Sequence, residues 1–135
     1  MKRTAERFSE RSYAFIVVGG GMAGTCAAIE AARSGAKTAL VHARPVLGGN
    51  ASSEIRMWIG GAYRSGETEV KDLRESGIIE ELFLENFYQN PSLKYPIWDS
   101  VLFEKAKAEE NLTLLLNTSC LDATMVGNRI DSSYR

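Results

Sequence analysis

Three glycines near the amino terminus have a spacing that suits phosphate binding. Gly19, Gly21 and Gly24 follow a G-x-G-x-x-G pattern, after an apolar run and before an alanine-rich stretch. In a dinucleotide-binding turn the first glycine permits the tight turn, the second lets a pyrophosphate approach the backbone, and the third lets a helix pack closely. The first turn of such a helix offers unpaired N–H groups to an anion. The spacing and its strand-to-helix context therefore predict a dinucleotide site.

The elements that must position this turn form a β-α-β pattern. Residues 14–18 are apolar and rich in β-branched side chains, which predicts a strand buried on both faces. A helix is expected over about 22–34, ended by Gly35 in a left-handed conformation. Further apolar strands are expected over 37–41 and 112–116. We predict an α/β fold with a Rossmann-like parallel sheet and helices packed on it.

The rest of the chain is expected to supply two helices and a hairpin. An apolar face that includes Leu82 and Phe87 predicts a helix over 77–88, and a second helix is expected over 100–110 with Asp99 as its N-cap. Residues 119–130 predict a β-hairpin, the start of a β-meander at the carboxyl terminus.

The segment after the second predicted strand shows a different pattern. Polar and apolar residues alternate over 52–59, with a double glycine before them at Gly48-Gly49. The alternation predicts either a strand or an extended loop with one buried face. The double glycine provides a backbone that a ligand can approach closely.

Composition excludes several classes of function. The 135 residues are 44% hydrophobic and 24% charged with a net charge of −1, which is typical of a soluble, single-domain protein without a basic surface for nucleic acid. The apolar stretch 14–32 is interrupted by glycines and polar residues, so no membrane span is expected. Residues 1–11 are charged, lack the apolar core of a signal peptide and are expected to form a flexible lead-in, so the expected location is cytoplasmic.

The cysteines and the single histidine limit the chemistry. Cys26 and Cys120 lie far apart, so neither a redox-active dithiol nor a metal site is expected, and both are interpreted as small buried residues. His42 stands at the end of the second strand, where the fingerprint has an acidic residue for the ribose hydroxyls. An imidazole can make one such hydrogen bond, or it can be a half-exposed surface residue, and both interpretations stay open.

These motifs together carry a resemblance to a known family. Residues 17–56, VVGGGMAGTCAAIEAARSGAKTALVHARPVLGGNASSEIR, resemble the N-terminal part of FAD-dependent oxidoreductases with a glutathione-reductase-type FAD-binding domain. The later stretch WDSVLFEKAKAEENLTLLLNTSCLDA extends the resemblance over nearly the whole chain. The resemblance implies FAD as the cofactor and a protein that positions and tunes the flavin.

The resemblance also implies a cofactor site built from separate segments. The residues implied for the pyrophosphate are Gly19, Gly21, Met22, Ala23 and Gly24. Those implied beside the adenosine ribose are His42, Ala43 and Arg44. Those implied along the path to the flavin are Gly48, Gly49, Asn50 and Ala51, and Cys120 is implied beside the adenine.

Ser53, Glu54 and Arg56 are implied near the reacting part of the flavin. Glu54 and Arg56 are the candidate catalytic residues, with Arg56 stabilising a reduced flavin or gripping a polar group of the substrate. The alternative is that Glu54 and Arg56 are solvated or paired with each other at the surface.

We therefore expect an FAD-binding oxidoreductase, or its N-terminal portion, that transfers a hydride between an unidentified small molecule and the flavin. The alternatives are an NAD(P)-binding dehydrogenase domain, which has no need of the Gly48-Gly49 loop, and a non-catalytic nucleotide-binding module. Residues 12–135 are expected to be the N-terminal part of an FAD-binding domain without its substrate domain, because the sequence ends within the second arm of the hairpin.

Overall fold

A computed structural model describes residues 12–60 and 75–134 of the chain. The lead-in expected over 1–11 lies outside the described residues. Three short strands, β1 (Phe15–Val18), β2 (Thr38–Val41) and β3 (Leu112–Leu115), form a parallel sheet in the order β1-β2-β3. Each strand pairs with its neighbour in register over four residues. The predicted α/β fold with a Rossmann-like parallel sheet is confirmed.

The burial of β1 differs from the prediction that both of its faces are buried. Phe15 is 51% exposed, Val18 is 61% exposed, and Ile16 is exposed as well. Within the described part of the chain, β1 lies at the edge of the sheet and pairs only with β2. The apolar run correctly predicted a strand. Hydrophobicity shows that the residues prefer burial, but it does not show which elements cover them.

Helix α1 (Met22–Arg33) joins β1 to β2 and ends as predicted at Gly35. The N–H of Gly35 donates to the Ala32 carbonyl and the N–H of Ala36 donates to the Ala31 carbonyl, both at 3.0 Å. This pair of bonds is the Schellman arrangement, which requires a left-handed residue, and Gly35 has φ +86°. The chain therefore turns sharply after α1 and enters β2.

Helices α2 (Ile78–Gln89) and α3 (Tyr95–Lys107) form a second connection, which leads to β3. The bounds of α2 match the prediction, but Phe87 is exposed although it was expected to share a buried face with Leu82. The two residues are five apart, which at 3.6 residues per turn places them about 140° from each other around the helix. The apolar face of α2 is therefore narrower than predicted.

Helix α3 begins earlier than predicted, so the assignment of Asp99 as its N-cap is wrong. Lys94 is the N-cap residue and Pro96 lies in the first turn, where its fixed φ and missing N–H cost nothing. Asp99 lies one turn into the helix and is buried. Its carboxylate instead accepts a hydrogen bond from the backbone N–H of Ser53.

The hydrophobic core lies between the parallel sheet and the three helices. Its buried members are aliphatic side chains and one tryptophan: Ala28, Ile29, Ala32, Leu40, Leu47, Leu82, Trp98, Val101, Leu102, Ala106 and Leu112. The Trp98 ring stacks on Phe83 with 6.0 Å between ring centroids, which joins α3 to α2. Strand β2 is the buried centre of the sheet, so the core forms around the strand that has a partner on both sides.

The predicted hairpin is confirmed as a separate two-stranded sheet. Strands β4 (Asp122–Val126) and β5 (Arg129–Tyr134) pair antiparallel around a turn at Gly127, with an irregularity between Thr124 and Met125. This hairpin is the expected start of a β-meander.

An ion-pair cluster ties the three helices together at the surface. Arg33 of α1 pairs with Glu81 of α2 and with Glu109, each at 2.7 Å. Lys105 of α3 pairs with Glu81 at 3.1 Å and with Glu85 at 3.2 Å. The hydrogen bond from Arg33, supported by Lys105, lowers the pKa of Glu81 to about 2.

The lowered pKa of Glu81 makes the stability of the fold depend on pH. The folded state binds a proton at Glu81 less readily than the unfolded state, so the ion pairs stabilise the protein fully above pH about 4.5 and are lost as the pH falls towards about 2. Because the Glu81 side chain is 37% exposed, solvent screening limits the effect to about 0.5 to 1 kcal/mol. We expect Glu81→Gln to remove this part of the pH dependence in urea unfolding measured across that range.

The control is Glu104→Gln, at an exposed position on α3. An unfolding curve whose pH dependence is the same for wild type and Glu81→Gln would contradict the prediction.

Candidate functional site

The glycine turn, residues 19–24, leads from β1 into α1 at the carboxyl edge of the parallel sheet. Gly19 has φ +110°, which only glycine adopts readily, and its N–H donates to the Val41 carbonyl at 2.8 Å. The turn is therefore tied to the end of the neighbouring strand β2. In open parallel sheets, ligands bind in the crevice beyond this carboxyl edge.

Gly24 has the packing role that the sequence predicts. A Cβ added at Gly24 would overlap the carbonyl oxygen of Gly19 and would lie 3.3 Å from Cγ1 of Val17. Both neighbours belong to the strand and turn, so a side chain here would push α1 away from the sheet. The absence of that side chain brings the amino terminus of the helix against the turn.

Gly21 is glycine for a different reason. As the N-cap of α1 it has φ −65° and ψ 177°, which any residue can adopt. A Cβ added here would have no heavy atom within 4 Å. Neither the backbone conformation nor packing in the described part of the chain requires glycine at this position. The open space borders the first turn of α1, in which Met22 and Ala23 carry N–H groups that have no acceptor within the helix.

A second glycine segment lies directly against the first. The N–H of Gly48 donates to the Gly20 carbonyl at 2.8 Å, and a parallel bridge joins Gly48 to Gly21. A Cβ on Gly49 would lie 3.1 Å from the Gly21 Cα, and both Gly48 and Gly49 have positive φ. The structure thus brings together the two glycine segments, which the sequence related to one cofactor only by resemblance.

Buried polar contacts hold the loop that follows. Residues Gly49–Ala51 form one 3-10 turn, and the Ser52 hydroxyl donates to the Gly49 carbonyl at 2.7 Å. The Ser53 N–H donates to the Asp99 carboxylate of α3 at 2.9 Å. Sequence reasoning gave Ser52 no role and assigned Asp99 as an N-cap, because the bond to Asp99 joins residues 46 positions apart in the sequence.

His42 follows β2 and its imidazole lies against the glycine turn. The N–H of Gly20 donates to Nδ1 of His42 at 3.0 Å, while Nε2 is buried and has no hydrogen-bond partner among the described residues. The ribose contact expected of His42 stays a prediction. Sequence reasoning gave no role to Gly20, although its place in a run of three glycines was the available signal.

The candidate catalytic residues Glu54 and Arg56 are not paired with each other. Nε of Arg44 donates to the Glu54 carboxylate at 2.9 Å, so the structure pairs a predicted ribose neighbour with a predicted catalytic residue. This hydrogen bond raises the pKa of the Arg44 guanidinium. The guanidinium of Arg56 donates through Nε to the Ser53 carbonyl at 3.0 Å. Ala43 beside Arg44 is exposed.

The segment 52–59 is neither a strand nor a loop with one buried face, so that prediction is wrong. It forms a turn followed by irregular backbone in which Ile55, Met57 and Trp58 are exposed. Arg56 has φ +63°, and its carbonyl accepts a hydrogen bond from the Tyr95 hydroxyl at 2.9 Å. Alternation in sequence predicted a pleat, but no described strand lies beside this segment to pair with it.

Both cysteines are half-buried, whereas the sequence predicted that they would be fully buried. Cys120 follows β3, and its thiol lies 3.7 Å from the Asp122 carbonyl oxygen. Burial raises the pKa of the Cys26 thiol in α1, which favours its unreactive protonated form. The role expected of Cys120 beside an adenine stays a prediction.

Residues 12–60 and 75–134 contain neither a metal-ligand cluster nor a membrane-spanning helix. In these ranges no group of three or more His, Cys, Asp or Glu side chains is arranged to hold a metal ion. No helix in the same ranges has the length and apolar character that crossing a membrane requires.

Comparison with known proteins identifies similar sequences. The sequence model of the family described as "FAD dependent oxidoreductase" matches residues 15–133. The chain is 37% identical over 79 residues to the glycerol-3-phosphate dehydrogenase of Mycobacterium leprae (strain TN), a match that covers 58% of this chain and 14% of that protein. It is 34% identical over 79 residues, with the same coverage, to glycerol-3-phosphate dehydrogenase 2 of Mycobacterium bovis and of Mycobacterium tuberculosis. The match thus spans about one seventh of the length of these relatives.

The contact at Gly24 predicts a specific loss of stability. Gly24→Ala places a methyl group on the Gly19 carbonyl, which cannot move without breaking the turn, so we expect the free energy of unfolding to fall by about 2 kcal/mol or more. Gly21→Ala is the matched control, because its methyl group has open space and an allowed backbone conformation. Urea unfolding of both variants checks this, and equal stability of the two would contradict it.

The left-handed conformation of Arg56 allows the role of its backbone to be tested separately from the role of its side chain. Arg56→Gly and Arg56→Ala both remove the guanidinium, but only glycine adopts φ +63° without strain. We expect Arg56→Gly to be more stable than Arg56→Ala by about 1 kcal/mol in urea unfolding. Equal stability of the two variants would show that the backbone here relaxes readily.

Proposed function

Because the chain belongs to the family of FAD dependent oxidoreductases, we propose that it forms the FAD-binding part of an enzyme that transfers a hydride between a small-molecule substrate and the flavin. FAD is the cofactor of this family. The observation that carries the proposal is the open space at Gly21, next to the amino terminus of α1.

The residues present suit a pyrophosphate. An anion at the amino terminus of a helix is stabilised by the unpaired N–H groups and by the helix dipole. Gly21, Met22 and Ala23 supply backbone at this point, and Gly49 places a second backbone segment beside them without a side chain in between. A ligand held through N–H groups gains charge-assisted hydrogen bonds without requiring a basic side chain.

The side chains around the turn support a division of tasks. Arg44 lies exposed just beyond β2, the strand whose end is adjacent to the turn, and Glu54 orients its guanidinium. We assign Arg44 to the adenosine side of the cofactor and Glu54 to the orientation of Arg44. Asn50, exposed on the 3-10 turn beside Gly49, is assigned to the path towards the flavin.

FAD, when bound, supplies the redox chemistry by accepting or returning a hydride at its isoalloxazine ring. The residues of this chain bind and orient the cofactor. We assign Arg56 to the substrate side, since its exposed guanidinium has further N–H donors besides the Nε–H that donates to the Ser53 carbonyl.

The relatives bear on the type of substrate. They are named glycerol-3-phosphate dehydrogenase, and the matched stretch covers 14% of their length. The described site of this chain is formed by glycine backbone. A match of this length therefore supports a cofactor shared with these relatives. We therefore propose oxidation or reduction of a small polar molecule, and we leave glycerol 3-phosphate as one substrate to assay.

The proposal predicts that a side chain at Gly21 blocks the cofactor without disturbing the fold. We expect Gly21→Val to raise the dissociation constant for FAD at least about tenfold, because the valine side chain would occupy the space that the pyrophosphate needs. Titration of the apoprotein with FAD, followed by quenching of flavin fluorescence, measures the constant. Thermal unfolding of the apoprotein shows whether the fold is intact.

The matched control is Gly60→Val, at a described glycine that also has no atom within 4 Å of an added Cβ. It is expected to bind FAD as the wild type does. The proposal is contradicted by a wild-type protein that binds no FAD, or by a Gly21→Val variant that binds it with unchanged affinity.

A further inference from the structure

The peptide groups of Gly20 are fixed from several sides. Its N–H donates to Nδ1 of His42 at 3.0 Å, and its carbonyl accepts hydrogen bonds from the Gly48 N–H at 2.8 Å and from the Thr25 hydroxyl at 3.2 Å. Gly20 is buried and lies between the tight turn at Gly19 and the open position at Gly21. Among its partners, His42 supplies the acceptor for the N–H of Gly20.

We infer that His42 is a positioning residue of the glycine turn, which acts through Gly20. By accepting the Gly20 N–H, the imidazole holds this peptide inward, so that the backbone left for a ligand begins at Gly21. This role uses Nδ1 and a partner within the protein, whereas the ribose contact expected from the sequence needs a nitrogen that faces the ligand. The inference about the cofactor rests on the proposed function, but the contact itself does not.

The contact defines the state of the ring. Because Nδ1 accepts a hydrogen bond, a neutral imidazole carries its proton on Nε2. Nε2 is buried without a hydrogen-bond partner among the described residues, so the Nε2–H of this ring is an unpaired donor there. A doubly protonated ring would direct an N–H at the N–H of Gly20, so the neutral ring is the form that fits this contact.

The packing of the ring also explains why residue 20 is glycine. A Cβ added at Gly20 would lie 2.8 Å from Cγ and 2.9 Å from Cδ2 of His42, and 2.7 Å from Cδ2 of Leu47. The imidazole thus lies directly on the Gly20 backbone. A substitution at residue 20 or residue 42 that removed this contact would leave the Gly20 peptide free to move.

Two amide variants separate this role from a ribose contact. In His42→Asn the side-chain oxygen sits on Cγ, as Nδ1 does, and can accept the Gly20 N–H. In His42→Gln the amide lies one bond further out, near the position of Nε2. His42→Leu fills the space without an acceptor. All three variants are compared with the wild type.

The first measurement needs no cofactor. Amide hydrogen exchange of Gly20, followed by NMR on glycine-labelled protein, reports whether its N–H is bonded. We expect protection to persist in His42→Asn and to fall about tenfold or more in His42→Leu and His42→Gln. Unchanged protection of Gly20 in His42→Leu would overturn the inference.

The second measurement is FAD affinity by fluorescence quenching. We expect His42→Asn to bind nearly as well as the wild type and His42→Gln to bind about tenfold more weakly, which is the size of one lost hydrogen bond. The reverse order would assign His42 to the ribose instead and overturn the inference. A wild-type protein that binds no FAD would contradict the proposed function, while the exchange measurement would still decide the role of His42.

Discussion

The backbone contact between two glycine segments is the constraint on which the candidate site depends. The Gly48 N–H donates to the Gly20 carbonyl at 2.8 Å. A Cβ added to Gly49 would lie 3.1 Å from the Cα of Gly21. At Gly49 this approach favours glycine, because the backbone has a positive φ and an added Cβ would be tightly placed against Gly21. It sets the loop after β2 beside the start of α1, and the remaining contacts of the site follow from that placement.

Three side chains hold the backbone of the glycine turn and of the loop that follows Gly48. His42, at the end of β2, accepts the Gly20 N–H, and Ser52 donates its hydroxyl to the Gly49 carbonyl. Asp99 of α3 accepts the Ser53 N–H, further along the same loop. Each hydrogen bond contributes only about 1 kcal/mol net, but a buried peptide group left without a partner would cost more. The backbone around Gly21 is therefore fixed in place before any ligand arrives.

Local requirements made part of this arrangement predictable from the sequence. The turn at Gly19, the packing at Gly24 and the helix end at Gly35 each follow from a backbone conformation or a contact a few residues away. The exposure of β1 and the partner of Asp99 could not be predicted, because they depend on elements distant in the sequence. For the same reason the spacing of the glycines did not reveal that Gly20 is bonded to the side chain after β2.

The distribution of charge separates the parts of the molecule that stabilise the fold from the part suited to bind a ligand. The cluster around Arg33, Glu81 and Lys105 ties the helices together at the surface, and its charges compensate one another. At the glycine turn the positive potential comes from the amino terminus of α1 and its N–H groups, which do not titrate and need no counter-ion. A site of this kind recognises a pyrophosphate through its shape and charge, whatever the substrate. A site of this kind therefore carries information about the cofactor and not about the substrate.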